Sequence, residues 1–310
     1  YDEMGYDLAV IARRDTNYQL LAPIIVEQFA SYDIETKSGL LFYLQGLASK
    51  RLKNLPSTLS DKWIDSLEDN TDRFTAKALY INYLNKSNSQ DREKIYRETH
   101  RFGENWRIDL AWLNLLQNLP LMPDDEKELL TLLKSSHIYT KTFLCENLDK
   151  YKVSKEFYSK FNQTKDAMIL FAMAEHLSEP LLKAAQTLET YSVKDQKWLI
   201  KAVFKSKQTD LINPLISVYE KLKPISKTVL IEQMCTAQIK NENFYRNVLL
   251  ENDLARTYFI VDYISESKNY SLAQDVLQAY ANLKTPDDIE TMDHILQAVA
   301  NWEIKDLTSF

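Results

Sequence analysis

The residues of this chain best placed to do chemistry are four lysines, Lys194, Lys197, Lys201 and Lys205, which step by three, four and four. On a helix that spacing puts the four ammonium groups on one stripe. Trp198 falls at the border of the stripe, and Leu199, Ile200 and Val203 lie opposite. A row of cations beside an aromatic ring can take an acidic peptide, a phosphate group or a nucleic-acid strand. The same pattern suits a plain amphipathic helix, with lysine stems covering apolar surface and Trp198 completing the core.

The other reactive residue types read as structural. His100, His137, His176 and His294 are scattered, and none has a second histidine three or four positions away, which excludes the paired-histidine zinc helix. His176 closes an apolar helix, where it would cap or answer the helix dipole. Asp124-Asp125 and Asp287-Asp288 each follow a proline at a helix start, where acids stabilise the positive end. Asp91 to Arg101 is a charged run laced with pairs at helical spacing, such as Glu93 with Arg97, and reads as a solvated face. Asp109 shares its helix with Trp106, Leu110, Trp112, Leu113 and Leu116, so it is expected to be partly buried and paired, with Arg107 or a lysine of the next repeat as the cation. Cys145 and Cys235 have no metal spacing and read as reduced core residues. There is no glycine-rich strand-to-helix turn, no Walker lysine loop and no nucleophile elbow. The expectation is therefore no catalytic residue, no metal ligand and no cofactor.

Composition narrows the elements that could carry these residues. Of 310 residues, 45% are hydrophobic and 26% charged, as in a globular protein able to bury a core. Only four are glycine, where average usage would give roughly 20. Little left-handed turn or hairpin chemistry is expected, and helices with short polar connections remain. The net charge of -6 argues against wholesale binding to a phosphate backbone, which requires a basic face. No apolar run approaches the ~20 residues that span a bilayer, and no leader pattern is present, so a soluble protein is expected. The absence of a disulfide framework fits a cytoplasmic setting. Because the chain begins at Tyr1, it is expected to be a processed form or a portion of a longer protein.

Apolar residues recur at helical spacing almost throughout, as in Tyr18, Leu21, Ile25, Phe29 and Tyr32, or Ile108, Trp112, Leu115 and Leu119. Prolines punctuate the chain where helices should begin: Pro56, Pro123, Pro180, Pro214, Pro224 and Pro286. These signals place helix pairs at about 17–32 with 35–50, 57–68 with 71–85, 89–102 with 105–118, 123–135 with 137–150, and 154–162 with 164–177. Four more follow at about 179–190 with 193–206, 209–222 with 226–239, 241–250 with 253–266, and 270–283 with 286–300. The second helices thus begin near Glu35, Thr71, Asn105, His137, Thr164, Val193, Ser226, Asp253 and Pro286, a drifting period of about 31 residues. One hairpin cannot bury its apolar face alone, so such pairs must stack.

Segments such as Asp72 to Leu79, Asp166 to Leu170 and Asp253 to Ile260, in which an acid opens a second helix and apolar residues follow, resemble the HEAT-like and armadillo-like repeats. The resemblance covers most of the chain, with degenerate repeats. It implies an all-α fold, a right-handed superhelical solenoid of about nine antiparallel helix hairpins, forming a single domain over 1–310 with repeats in 17–300 and a C-terminal tail at 301–310. A ladder of Asp with a later Arg or Lys between neighbouring repeats belongs to the family, and Asp253 with Arg256 and Asp72 with Lys77 come near its spacing. Stacked layers about 8–10 Å apart would keep the two cysteines too far apart to bridge.

The functional expectation is a noncatalytic scaffold that grips another protein or a peptide, an acidic one where the lysine stripe is used. Two alternatives stay open: a helical accessory domain of a larger enzyme, as in aminopeptidases with a superhelical C-terminal domain, or a HEAT-like nucleic-acid-binding protein.

Overall fold

The computed structural model describes residues 28, 31–48, 73–87, 92–103, 105–135, 137–283 and 289–302. The expected helix near 57–68, most of that near 17–32, Asp72, the Pro286 start with Asp287 and Asp288, and all of the tail beyond Trp302 lie outside these residues. The described residues contain sixteen α-helices, several short 3-10 turns and no strand. No helix among them is long and apolar enough to cross a membrane. Contacts divide the chain into two compact units, 1–157 and 158–310.

The first unit holds α1 (Ile34–Ala48), α2 (Arg73–Ser87), α3 (Arg92–Thr99), α4 (Trp106–Leu116), α5 (Pro123–Ser135) and α6 (Ile138–Asn147). α1 packs on α2, α2 on α4 and α4 on α6, while α5 packs across α6. The α4 sequence explains its place in that row: Ile108, Ala111, Trp112 and Leu115 recur at three- and four-residue steps and are all buried. Asn105 starts the helix by accepting the Arg107 N–H at 2.9 Å. Trp112 is completely buried, and its removal to alanine would cost about 3–5 kcal/mol. α7 (Lys155–Ser159) spans the boundary between the units.

The second unit holds α8 (Ala167–Ala172), α9 (Ser178–Gln186), α10 (Val193–Ser206), α11 (Ile212–Ser217), α12 (Pro224–Thr236), α13 (Glu242–Leu249), α14 (Leu254–Ser267), α15 (Ala273–Ala281) and α16 (Ile289–Ala300). Two layers result. α8, α10, α12, α14 and α16 pack in a row, each on the next, while α9 packs on α11 and α13 on α15 in the other layer. Side-chain caps set the register of the row: Asp166, Ser192 and Asp253 accept backbone N–H groups at the starts of α8, α10 and α14. Pro123 and Pro224 take the first helical position, whereas Pro180 and Pro214 fall at the third, still within the first turn where no intrahelical N–H is needed. At the end of α16, Trp302 is buried and its indole N–H donates to the Ser265 hydroxyl at 2.9 Å, so the tail begins docked on α14.

The cross-links between successive pairs differ from the expected ladder. Asp253 and Arg256 meet at 2.8 Å within the first turn of α14 rather than between neighbours. Other residues bridge successive helix pairs, at separations close to one another. Arg97 with Asp125 spans 28 residues, Gln208 with Ser178 30, Arg246 with Asp275 29, and Gln238 with Glu266 28.

Scarce glycine did not remove left-handed turns. Lys152, Lys207, Gln238, Asn252 and Lys268 all adopt positive φ, Lys207 and Lys268 as the C-caps of α10 and α14. A side chain in that region costs about 1–2 kcal/mol, which the packed helices on either side must offset. Gly103, at φ +89, is the described glycine that needs its freedom; its N–H donates to Asp109 at 2.8 Å.

Candidate functional site

α10 carries the lysine stripe. Ser192 caps it, accepting the Asp195 N–H at 3.2 Å and donating its hydroxyl to the Asp195 carboxylate at 2.7 Å. Leu199, Ile200, Ala202 and Val203 are buried, which turns the opposite side outward. On that side Lys194 and Lys201 are exposed, and Lys197, Trp198, Phe204 and Lys205 are half-buried. Trp198 is therefore shared between the core and the surface. Its ring lies 4.9 Å from Phe171 of α8, and the Lys205 ammonium sits 4.8 Å over the same Phe171 ring. The structure thus brings all five sequence-predicted binding residues onto one face and adds Phe171, which lies 27 residues before Trp198 and carries no local signal.

Four like charges crowd this one face. Several other bases of the second unit find acids: Lys183 with Glu179, Lys207 with Glu175, Lys221 with Glu189, Lys227 with Glu220 and Glu251, and Arg246 with Asp275. Among the described residues, no carboxylate pairs with Lys194, Lys197, Lys201 or Lys205. Four neighbouring like charges on one helix repel one another by a few tenths of a kcal/mol per pair. A polyanionic surface would relieve that repulsion on binding.

The first unit has a cavity of about 880 Å³ between the α3–α4 connection and α5. His100, Phe102 and Trp106 wall it, Asp109 and Leu132 are its most buried lining residues, and Arg101, Lys127 and His137 stand exposed around it. His100 is held from every side. Its ring stacks on Tyr96 at 4.1 Å, Nδ1 lies 2.6 Å from the Tyr96 carbonyl, and Nε2 lies 2.9 Å from Glu128. A carbonyl only accepts, so Nδ1 is the donor in its contact with Tyr96.

Asp125 lies close enough to His100 and Glu128 for the three to be weighed as metal ligands. Its oxygens are already committed: Arg97 donates to both at 2.7 Å, the Tyr96 hydroxyl donates to one at 3.1 Å and the Met122 N–H to the other at 2.7 Å. A cation would have to displace a guanidinium, so the donor set does not fit a metal ion. Asp125 does sit in the first turn of its helix as expected from the proline before it, and it also anchors α3 to α5. Its neighbour Asp124 is exposed and pairs with Lys127, which holds its carboxyl below the usual range.

The remaining sequence candidates resolve as structure. Asp109 is buried and accepts from the Gly103 N–H at 2.8 Å and the Thr140 hydroxyl at 3.3 Å, while Arg107 lies over the Trp106 ring at 4.5 Å. His137 caps α6, His176 stacks on Tyr158 at 3.7 Å rather than capping a helix, and His294 meets Asp262 at 2.9 Å. Cys145 and Cys235 are buried, and burial pushes the Cys235 thiol up to about 12, which keeps it protonated and inert. Compared with protein-family models, curated proteins and solved structures, the chain matches none.

Proposed function

We propose that this chain is a noncatalytic scaffold, a solenoid of helix pairs that binds another protein or a peptide, and that an acidic segment of the partner lies on α10. The observation that carries this reading is the set of four neighbouring lysines without a carboxylate partner among the described residues, set beside the half-exposed rings of Trp198 and Phe204. Support for the solenoid comes from the row of helices in each unit and from cross-links spaced at the repeat period. A row of parallel surfaces offers an extended face rather than a pocket, which suits recognition of a chain segment.

The direct test is fluorescence anisotropy with a labelled oligoglutamate peptide, comparing the unaltered protein with the Lys197→Glu/Lys201→Glu variant. Binding that is salt-sensitive and lost in the variant is expected. Equal binding by both proteins, with the helical circular dichroism unchanged, would remove α10 as the docking face.

A further inference from the structure

The exposed face of α10 does not end at α10. α12 packs on it and α14 on α12, and each of these helices turns one face outward. On α12 the outward positions include Ile225, Val229 and Glu232; on α14 they include Phe259, Asp262 and Glu266. Contacts between outward side chains link neighbouring helices at both ends of the row: Phe171 of α8 touches Trp198 of α10, and His294 of α16 touches Asp262 of α14. The sign of the charge reverses along this surface. α10 presents lysines, whereas α12 and α14 present carboxylates.

Those carboxylates, like the lysines, lack an opposite charge from a lysine or arginine, although Asp262 also accepts from the Tyr258 hydroxyl. Among the described residues, neither Glu232, Asp262 nor Glu266 pairs with a lysine or arginine; Asp262 meets His294, and Glu266 accepts only from the Gln238 amide at 2.8 Å. Left to themselves, opposite charges on neighbouring helices of one protein would be expected to pair with each other. Here they stand apart on separate helices, with the half-exposed Val229 and Ile225, which is 50% exposed, on the helix between.

We infer that the partner segment is dipolar: an extended chain that crosses the row with acidic residues on α10, an apolar residue over α12, and basic residues on the Glu232, Asp262 and Glu266 side. This rests on the scaffold reading and specifies the partner it selects. Packed helices lie about 8–10 Å apart, so α10 and α14 are separated by about 16–20 Å. An extended chain rises about 3.3 Å per residue and covers that span in about five or six residues. The acidic and basic clusters of the partner therefore lie about five or six residues apart. A continuous polyanion such as single-stranded nucleic acid would meet the carboxylates of α12 and α14 after leaving α10, and like charges set opposite one another reject it.

The test compares three labelled peptides of equal length by anisotropy at low salt. One is dipolar, three glutamates and three lysines separated by Ser-Leu-Ser. The second replaces the lysines by glutamates, and the third alternates glutamate and lysine. The dipolar peptide is expected to bind about tenfold more tightly than either control, the gain of a few partly screened ion pairs. In the Glu232→Lys/Glu266→Lys variant the order of the first two should invert. Circular dichroism and thermal unfolding of the variant establish that it is folded. If the all-acidic peptide binds as well as the dipolar one, and the variant changes neither, the dipolar inference is overturned while the scaffold reading stands. If no peptide responds to Lys197→Glu/Lys201→Glu, the scaffold reading on α10 falls as well. An oligothymidylate that outcompetes the dipolar peptide would overturn both in favour of nucleic acid.

Discussion

The Arg97 guanidinium of α3 and the Asp125 carboxylate of α5 meet at 2.7 Å, with the acid side chain 3% exposed and the base 26% exposed. That asymmetry decides which partner matters more. Arg97→Met leaves a carboxylate buried without its cation and should cost about 3–5 kcal/mol. Asp125→Asn leaves a guanidinium that can still reach water, and the one amide oxygen can keep accepting from either Tyr96 or Met122, which donate to different carboxylate oxygens, so about 1–3 kcal/mol is expected. Urea unfolding of the two variants checks the order. A larger loss for Asp125→Asn would show that the hydrogen bonds to Tyr96 and Met122, rather than the charge pair, hold α3 to α5.

The left-handed C-cap at Lys268 offers the opposite sign. Its φ of 53 strains a side chain that is otherwise exposed. Lys268→Gly should raise stability by about 0.5–1 kcal/mol, the relief of the strained backbone less the added freedom of the unfolded chain. The thermal midpoint reports it, and a fall in that midpoint would mean the lysine stem contributes packing that outweighs the strain.

The α10 face should separate folding from binding. Lys201→Glu turns two repulsive neighbours, Lys197 and Lys205, into attractive ones at four-residue spacing. A gain of about 0.3–1 kcal/mol is expected from the helix alone. A destabilised variant would show that Lys201 answers an unseen carboxylate.

Alkaline pH should unfold the protein from its core. Burial raises Cys235 from 9.0 to about 12, and raises the hydroxyls of Tyr83, Tyr96, Tyr151, Tyr219 and Tyr245 above their ordinary 10.0. These groups keep their protons when native and release them on unfolding, so their contribution is intact below pH 9 and falls as pH rises through 9 to 12. The urea midpoint should be similar at about pH 7 and about pH 8.5 and drop by about pH 10.5. A flat profile would place these groups in contact with water.

What sequence made legible was the second helix of each pair. Expected starts near Glu35, Asn105, His137, Thr164, Val193, Ser226 and Asp253 correspond to helices opening at Ile34, Trp106, Ile138, Ala167, Val193, Pro224 and Leu254, while those near Thr71 and Pro286 lie outside the described residues. These helices begin at polar caps or prolines and bury a long apolar stripe, which are local signals. The first helices were less legible. The segment near 209–222 is a 3-10 turn at Thr209–Leu211, a short helix at Ile212–Ser217 and another turn at Tyr219–Lys221, because a layer that touches its neighbours less closely tolerates broken helices. The lysine stripe was legible because it lies on one helix. Phe171 beneath Trp198, and the His100–Glu128 pair, were not, because each joins residues on different helices far apart in sequence and needs the three-dimensional register.

The row of helices in the second unit has a consequence for how recognition could change over time. Buried positions on α10, α12 and α14 hold the stack together, and on the scaffold reading proposed above the outward positions choose the partner, with few residues serving both. Apart from outward contacts such as Phe171 with Trp198 and Asp262 with His294, the outward side of one helix can therefore be rewritten without disturbing the core beneath it. On that reading specificity is modular, and it can drift one helix at a time while the core stays the same.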